Sequence, residues 1–198
     1  MSNEIRTERH HNNQIVTFSR PKMRSPLSVT VLNQLHLLVD ELACDVDVDR
    51  LIFTGVGDVF ASGADLREIA SVTVNDAQVF ALRGQTLMTK ITALPQLTIA
   101  ALNGFCFGGA LDLALACDRR IASSNASFAH PGTGLGIITG WSGTQRMPRL
   151  IGTANALELF FTAAPITAER ALTMGLIDEI ADDPLAAALS KDNLWSRM

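Results

Sequence analysis

The chain has 198 residues and a net charge of −4, and 47% of its residues are hydrophobic. This length predicts one domain with a sizeable core, and the lack of Lys- or Arg-rich runs disfavours nucleic acid and anionic membranes as partners. The polar N-terminus, the lack of an apolar stretch of transmembrane length and three isolated cysteines favour a cytoplasmic protein without a metal site.

Strands and helices alternate along the chain in the predicted order. The predicted elements are strands at 5–9 and 14–19, a helix at 28–43, a strand at 51–55, a helix at 76–94, a strand at 97–102, a helix at 109–117, strands at 119–123 and 127–129, and helices at 153–162 and 167–174. Ser28, Thr153 and Thr167 stand at expected helix N-caps, and Pro95 and Gly175 stand where helices end. This order predicts α/β layers in a single domain over residues 1–198.

The most informative stretch follows the strand at 97–102. Gly104, Gly108 and Gly109 form a turn, and a periodic apolar run then predicts a buried helix. The free N–H groups and the positive dipole at such a helix start suit an oxygen atom that gains negative charge. Asp112 is expected about one turn along the same helix face. Its carboxylate is then a candidate acid or base beside the anion-stabilising corner. The pattern favours an enolate-forming site, although glycine pairs also serve close helix–strand packing.

A second strand–turn–helix corner is predicted at residues 51–69. Small residues at 61–64 follow its strand, and an apolar-periodic helix begins near Leu66. An enolate oxygen is usually held by two donors, because one hydrogen bond leaves much of its charge unsatisfied. The two corners together therefore predict a paired hydrogen-bond site for one oxygen.

Five ordered motifs resemble the crotonase, or enoyl-CoA hydratase/isomerase, superfamily. They are Ser19–Ser28, Phe60–Leu66, Asn103–Asp118, Gly134–Arg146, and Phe161–Ala171 with Met174–Asp178. The resemblance covers the chain from about Ile5 to Ala181. It implies a spiral of ββα units with surrounding helices, an acyl-CoA thioester as substrate and no separate cofactor.

The resemblance also bears on the end of the chain and on its assembly. Members of this family normally continue into several more helices, which cover the acyl pocket and add trimer contacts. This chain is expected to lack most of that C-terminal helical segment and to have a more open acyl pocket. A homotrimer or hexamer is expected, with Trp195 as a possible anchor on a neighbouring subunit.

The resemblance assigns roles to residues at both corners. The backbone N–H groups of Ser62 and Gly109 are expected to hold the thioester oxygen as it becomes an enolate. Contacts to CoA and substrate are expected from Lys22, Arg24, Ser25, Leu27, Ser62, Gly63, Ala64, Asp65, Gly109 and Gly132.

The acid/base positions depart from the two-glutamate pattern of the hydratases in this family. The first position corresponds to Asp112, which is one methylene shorter than glutamate, and the second corresponds to Gly132, which carries no proton. The sequence therefore disfavours ordinary two-carboxylate hydration. His130 could supply a second acid/base group, although a structural histidine is the plainer interpretation.

Three functions remain open from the sequence. The first is acyl-CoA chemistry of the hydratase, isomerase or decarboxylase type, with Asp112 as the proton carrier. The second is a CoA-binding or oligomer-forming homologue with impaired catalysis, which the lack of a carboxylate at Gly132 favours. The third is a serine hydrolase of the same fold, for which the corner at Gly109 and Ala110 offers no nucleophile. The acyl group that binds is expected to depend on the helix at 76–94 and the loop at 131–141.

Overall fold

The computed structural model of the chain describes residues 4–190, so Trp195 lies outside the described residues. The strands are β1 (Ile5–His10), β2 (Asn13–Phe18), β3 (Arg50–Gly55), β4 (Val59–Ala61), β5 (Leu97–Leu102), β6 (Phe105–Phe107), β7 (Arg119–Ala122), β8 (Ser127–Ala129), β9 (Ile166–Thr167) and β10 (Glu179–Ile180). The helices are α1 (Val29–Leu42), α2 (Leu66–Ser71), α3 (Ala77–Ala93), α4 (Gly109–Ala116), α5 (Gly143–Ile151), α6 (Thr153–Thr162), α7 (Ala168–Met174) and α8 (Pro184–Leu189). Within this part of the chain, no helix combines the length and apolar character needed to cross a bilayer.

The strands form two sheets joined by a repeated ββα unit. One sheet has six strands in the order β1-β2-β3-β5-β7-β10 and is parallel except for the β1–β2 hairpin. The other has four strands in the order β4-β6-β8-β9 and is parallel except for the β8–β9 pair. Each of β3, β5 and β7 passes directly to a strand of the smaller sheet and then on to a helix. The predicted α/β spiral of ββα units is confirmed.

The central strands β3 and β5 are buried on both faces. Leu51 and Phe53 lie in the larger hydrophobic cluster, whereas Ile52 and Ile99 lie in a smaller cluster that packs against α8. All four side chains have no exposed surface. Burial on both faces explains why these strands appear in the sequence as continuous apolar runs and not as an alternating pattern.

A single asparagine ties the two strand–turn corners together. Oδ1 of Asn103 accepts a hydrogen bond from the amide of Gly55 at 2.9 Å. Its Nδ2 donates to the carbonyl oxygens of Gly57 and Val59 at 2.8 and 3.1 Å. The chain after β3 is thereby fixed to the chain after β5, which places the two corners side by side.

Two local features differ from the sequence-based expectation. The N-cap of α6 is Gly152 with φ 80°, so Thr153 is the first helical residue and not the cap. The three-residue strands β4 and β6 lie where the sequence indicated turns. Strands this short carry too few side chains to show a period of two.

Helix α1 combines a side-chain cap with an apolar stripe. Oγ of Ser28 accepts from the amide of Val31 at 3.2 Å and donates to the carboxylate of Glu4 at 2.7 Å. The buried face of the helix consists of Val31, Leu32, Leu35, Val39 and Leu42. The predicted N-cap role of Ser28 is confirmed.

Replacement of Ser28 by alanine is expected to lower the free energy of unfolding by about 1–2 kcal/mol, because the amide of Val31 and the carboxylate of Glu4 each lose a partner. Urea denaturation followed by circular dichroism measures this difference. Thr30→Ala, at an exposed position in the first turn of the same helix, is the matched control and should change stability by less than about 0.5 kcal/mol. Equal effects of the two substitutions would contradict the capping role.

Candidate active site

The two strand–turn corners meet at their glycines. Gly63 and Gly108 have φ values of 84° and 57°, a region that residues with side chains rarely adopt. A Cβ on Gly63 would overlap the amide nitrogen of Gly109 and would lie 2.9 Å from the carbonyl oxygen of Phe107. Glycine at 63 is therefore required by its conformation and by the close approach, which sets the start of α4 directly against the corner before α2.

The backbone amides of Ala64 and Gly109 lie close together at this contact. A Cβ placed on Gly109 would lie 3.4 Å from the amide nitrogen of Ala64. Within residues 4–190, neither of these two amides donates a hydrogen bond to a protein acceptor. Both residues line one cavity. The corner therefore brings two amides without a protein acceptor in this part of the chain to one cavity.

Ser62 does not present its amide as the sequence predicted. The Ser62 amide donates to the carbonyl oxygen of Ser25 at 3.4 Å, so it links its corner to the loop before α1. Ala64, two residues further on, faces Gly109 instead. The left-handed conformation of Gly63 separates the bonded amide of Ser62 from the amide of Ala64 within this corner.

The loop before α1 runs alongside this corner. The amide of Leu27 donates to the carbonyl oxygen of Gly63 at 2.7 Å, and Leu27 forms a parallel bridge with Ala64. Ser25 is buried and has a left-handed φ of 46°. The structure thus brings Ser25 and Leu27 next to residues 62–64, where the sequence predicts contacts to CoA.

The charged residues predicted to contact CoA do not line the cavity. Lys22 and Arg24 are exposed, and the Arg24 guanidinium lies 4.9 Å from the centre of the Phe105 ring. Asp65 accepts from the amide of Arg67 at 2.9 Å and forms an ion pair with its guanidinium. These hydrogen bonds hold the pKa of Asp65 below its usual value. Asp65 therefore caps α2, while Lys22 and Arg24 remain on the surface.

Asp112 is fully buried one turn into α4. Oγ1 of Thr139 donates a hydrogen bond to its Oδ2. A Cβ on Gly143, the first residue of α5, would overlap its Oδ1. Only glycine fits at that position, and the positive end of the α5 dipole lies against the Asp112 carboxylate.

His130 lies beside Asp112 in the same cavity. Its Nε2 is 3.1 Å from Oδ1 of Asp112, and the two side chains are 3% and 0% exposed. The two atoms lack the alignment of a hydrogen bond, so this is a close approach of two buried polar atoms. The imidazole also packs against Phe160 at a ring-centre distance of 5.3 Å. The structure thus joins the two acid/base candidates that the sequence named separately.

Arg146 on α5 adds positive charge near this pair. Burial lowers the pKa of its guanidinium, and the charge of Asp112 acts in the opposite direction. The guanidinium donates to the carbonyl oxygen of Met88 at 3.3 Å, and its buried Nε has no hydrogen-bond partner within the described residues. Sequence reasoning did not assign a role to Arg146, although it closes the Gly134–Arg146 motif.

Gly132 lines the cavity, but a side chain does not fit there in this loop conformation. A Cβ on Gly132 would lie 2.9 Å from the carbonyl oxygen of Ile137 and 3.5 Å from its Cγ1. The amide of Ile137 in turn donates to the carbonyl oxygen of Gly132 at 3.0 Å. A second carboxylate at position 132 would therefore require the loop to follow a different path.

A cavity of about 450 Å³ joins these groups. Besides the amide corner and the Asp112–His130 pair, its wall is mainly apolar and includes Leu66, Ile69, Phe80, Ile137, Ile138 and Trp141. Its volume lies in the usual range of small-molecule sites. Two free amides, a buried acid/base pair and an apolar wall suit a largely apolar substrate that has a carbonyl oxygen. Such a substrate could lose a proton to the pair and regain it there.

Comparison with solved structures identifies the architecture of the chain as the crotonase fold. The enoyl-CoA hydratase of Bacillus anthracis matches with a TM-score of 0.86 and 34% sequence identity, over 90% of this chain and 70% of that chain. DspI of Pseudomonas aeruginosa matches with a TM-score of 0.88 and 30% identity, over 95% of this chain and 78% of that chain.

The chain belongs to the enoyl-CoA hydratase/isomerase family, whose family model matches residues 8–192. It is 37% identical to the short-chain-enoyl-CoA hydratase of Clostridium acetobutylicum over 181 residues, which are 91% of this chain and 69% of the relative. It is 38% identical to the crotonyl-CoA hydratase of Syntrophomonas wolfei over 174 residues, which are 87% of this chain and 67% of the relative. The chain thus spans about two thirds of the length of these curated relatives. The family resemblance predicted from the five motifs is confirmed.

The cysteine thiols next to α4 are buried. Burial raises the pKa of Cys117 from 9.0 to about 12 and also raises the pKa of Cys106, whereas Cys44 is exposed. Within the described part of the chain, no group of three or more His, Cys, Asp or Glu side chains could hold a metal ion.

The free energy of unfolding is expected to fall as pH rises from 9 towards 12. In this window the folded protein keeps the Cys117 proton, which the unfolded chain releases at its ordinary pKa of 9.0. A buried thiol with a raised pKa contributes up to about 1.4 kcal/mol per pH unit to the fall in the free energy of unfolding. Its stabilising effect is fully present below pH 9.0, the ordinary pKa of the thiol in the unfolded chain.

Urea denaturation at a series of alkaline pH values tests this slope. Cys117→Ala should make the pH dependence shallower without abolishing it, because Cys106 contributes in the same direction. Cys44→Ala, which changes an exposed thiol, is the control and should leave the slope as it is. A Cys117→Ala slope identical to that of the unsubstituted protein would contradict the assignment.

Proposed function

We propose that the protein acts on an acyl-CoA thioester, forms its enolate and moves a proton with one buried pair of side chains. The observation that carries this proposal is the 3.1 Å contact between Asp112 and His130, one turn after the free amide of Gly109 and in the same cavity. The thioester substrate follows from the family and from the named substrates of the relatives.

The amides of Ala64 and Gly109 would hold the thioester oxygen. Preorganised N–H donors stabilise charge where it develops, and they do so most strongly in a site that excludes water. The positive end of the α4 dipole adds to this effect at Gly109. Neither donor uses a side chain, which is consistent with the small residues at both corners.

Asp112 would carry the proton, with His130 as its partner. The Thr139 hydrogen bond fixes one carboxylate oxygen, while the other faces His130. The start of α5 and the charge of Arg146 provide positive potential at the carboxylate. An imidazole beside the carboxylate can accept or return a proton that Asp112 removes from carbon.

A single proton-carrying pair suits migration of a double bond. Asp112 would remove the α-proton of a 3-enoyl thioester, and the electrons of that C–H bond would form a dienolate whose oxygen the two amides hold. The same proton would return to the γ-carbon and give the 2-enoyl thioester. This sequence balances without water or any other reactant.

Hydration is the second candidate, because the relatives are named short-chain-enoyl-CoA and crotonyl-CoA hydratases. Here Asp112 and His130 together would orient the water that two glutamates otherwise hold. Decarboxylation of a malonyl-type thioester is the third, since loss of CO₂ itself forms the enolate. Product analysis with 3-hexenoyl-CoA, crotonyl-CoA and methylmalonyl-CoA distinguishes the three reactions.

Asp112→Asn is expected to lower turnover of the best of these substrates by about 10²–10⁴-fold, because the amide cannot carry the proton. His130→Gln is expected to lower it as well, but by less, since the carboxylate remains. Steady-state kinetics measures both effects. Calorimetric binding of butyryl-CoA, which does not react, should change little in either variant.

Matched controls separate chemistry from folding. Asp58→Asn and His10→Gln make the same changes at exposed positions and should keep full turnover. Binding of butyryl-CoA without turnover of any thioester would contradict the enzyme proposal and support the impaired CoA-binding homologue. Full activity of Asp112→Asn would remove Asp112 from the mechanism.

The oligomeric state and the cellular location of the protein are part of the same proposal. A homotrimer or hexamer in the cytoplasm remains the expectation for this family member. Sedimentation equilibrium of the full chain measures the assembly directly, and a monomer at micromolar concentration would contradict it.

A further inference from the structure

Trp141 occupies an unusual place between two helices of the site. It is buried, with 4% of its surface exposed, at the end of the loop that leads into α5. A Cβ on Gly84 of α3 would overlap Cδ1 and Nε1 of the indole, and a Cβ on Gly109 of α4 would overlap Cε3 and Cζ3. The indole is thus held between two glycines that leave it just enough room.

The indole of Trp141 explains why residue 84 is glycine. Gly84 lies inside the 17-residue helix α3, where glycine weakens a helix relative to alanine. The indole fills the volume that any side chain at Gly84 would need. The helix therefore gives up intrinsic stability at one position to admit a large aromatic ring into the wall of the cavity.

The benzene edge of this ring lies beside the two free amides. The point that a Gly109 Cβ would occupy is 3.4 Å from the amide nitrogen of Ala64 and overlaps the indole. Phe80 extends the same aromatic wall, with its ring centre 6.4 Å from that of Trp141. An acyl group whose carbonyl oxygen binds the amides would have its first carbons next to this wall.

We propose that Trp141 determines substrate specificity by closing the acyl pocket between α3 and α4, so that the site accepts short acyl groups. The inference rests on the proposed binding of an acyl-CoA thioester to this cavity. The effect of Trp141 is exclusion of volume next to the reacting carbons. A smaller side chain would open a channel towards Gly84.

Calorimetric titration with butyryl-, hexanoyl- and octanoyl-CoA tests this role, because saturated thioesters bind without reacting. In the unsubstituted protein, affinity should stop rising beyond butyryl-CoA. In Trp141→Ala, each further methylene should tighten the dissociation constant by up to about fourfold, the factor for burying one CH₂ group. Trp141→Phe, which keeps an aromatic core residue, should give an intermediate profile and serves if the alanine variant does not fold.

Phe161→Ala removes an aromatic ring that is 77% exposed on α6, and it should leave the chain-length profile unchanged. A steady rise in affinity with acyl-chain length in the unsubstituted protein would overturn the inference. The acyl tail would then lie at the exposed apolar rim formed by Leu66, Leu135 and Ile138. An unchanged profile in both Trp141 variants would overturn it as well, while binding of butyryl-CoA would still support the proposed function. Failure of all three thioesters to bind would overturn the proposed function and this inference together.

Discussion

The close approach of two backbone segments at Gly63 and Gly109 is the constraint on which the site depends. Any side chain at Gly63 would overlap the amide at the start of α4, and the positive φ of Gly108 turns β6 into that helix. Asn103 holds the same two corners together from the side of the large sheet. Because the contact is between backbones, it brings main-chain amides, and not side chains, to the cavity. This arrangement supports the proposed stabilisation of an oxygen anion.

A buried carboxylate beside this point needs compensation, since an isolated buried charge is costly. The stretch from Thr139 to Arg146 supplies it in three ways: a hydroxyl donor, the start of a helix, and a guanidinium. The same stretch contains Trp141, which forms the wall of the cavity. One loop-and-helix segment therefore fixes the Asp112 carboxylate and also limits the space next to it. A change in the path of this segment would alter both together.

Sequence patterns predicted the parts of the site that local spacing determines. The glycine turn before a periodic apolar run placed Gly109 at a helix start, and three-residue spacing placed Asp112 one turn later. Contacts between distant segments were not predictable in this way. The 3.1 Å contact of Asp112 with His130 depends on how β8 lies beside β6. The backbone hydrogen bond of Ser62 depends on how the loop before α1 lies beside the corner at Gly63. The fit of Trp141 against Gly84 joins residues with no shared sequence motif.

The differences from a two-glutamate site are physically linked and are not independent losses. The Asp112 carboxylate already contacts His130 and abuts the first residue of α5, so a side chain one methylene longer would have to displace one of them. Gly132 lies where the carbonyl oxygen of Ile137 leaves no room for a side chain, in a loop that continues to Thr139 and its hydrogen bond to Asp112. A short carboxylate, an adjacent imidazole and a glycine at 132 are therefore mutually consistent. Restoring a glutamate at one position alone would clash with the packing that the others share.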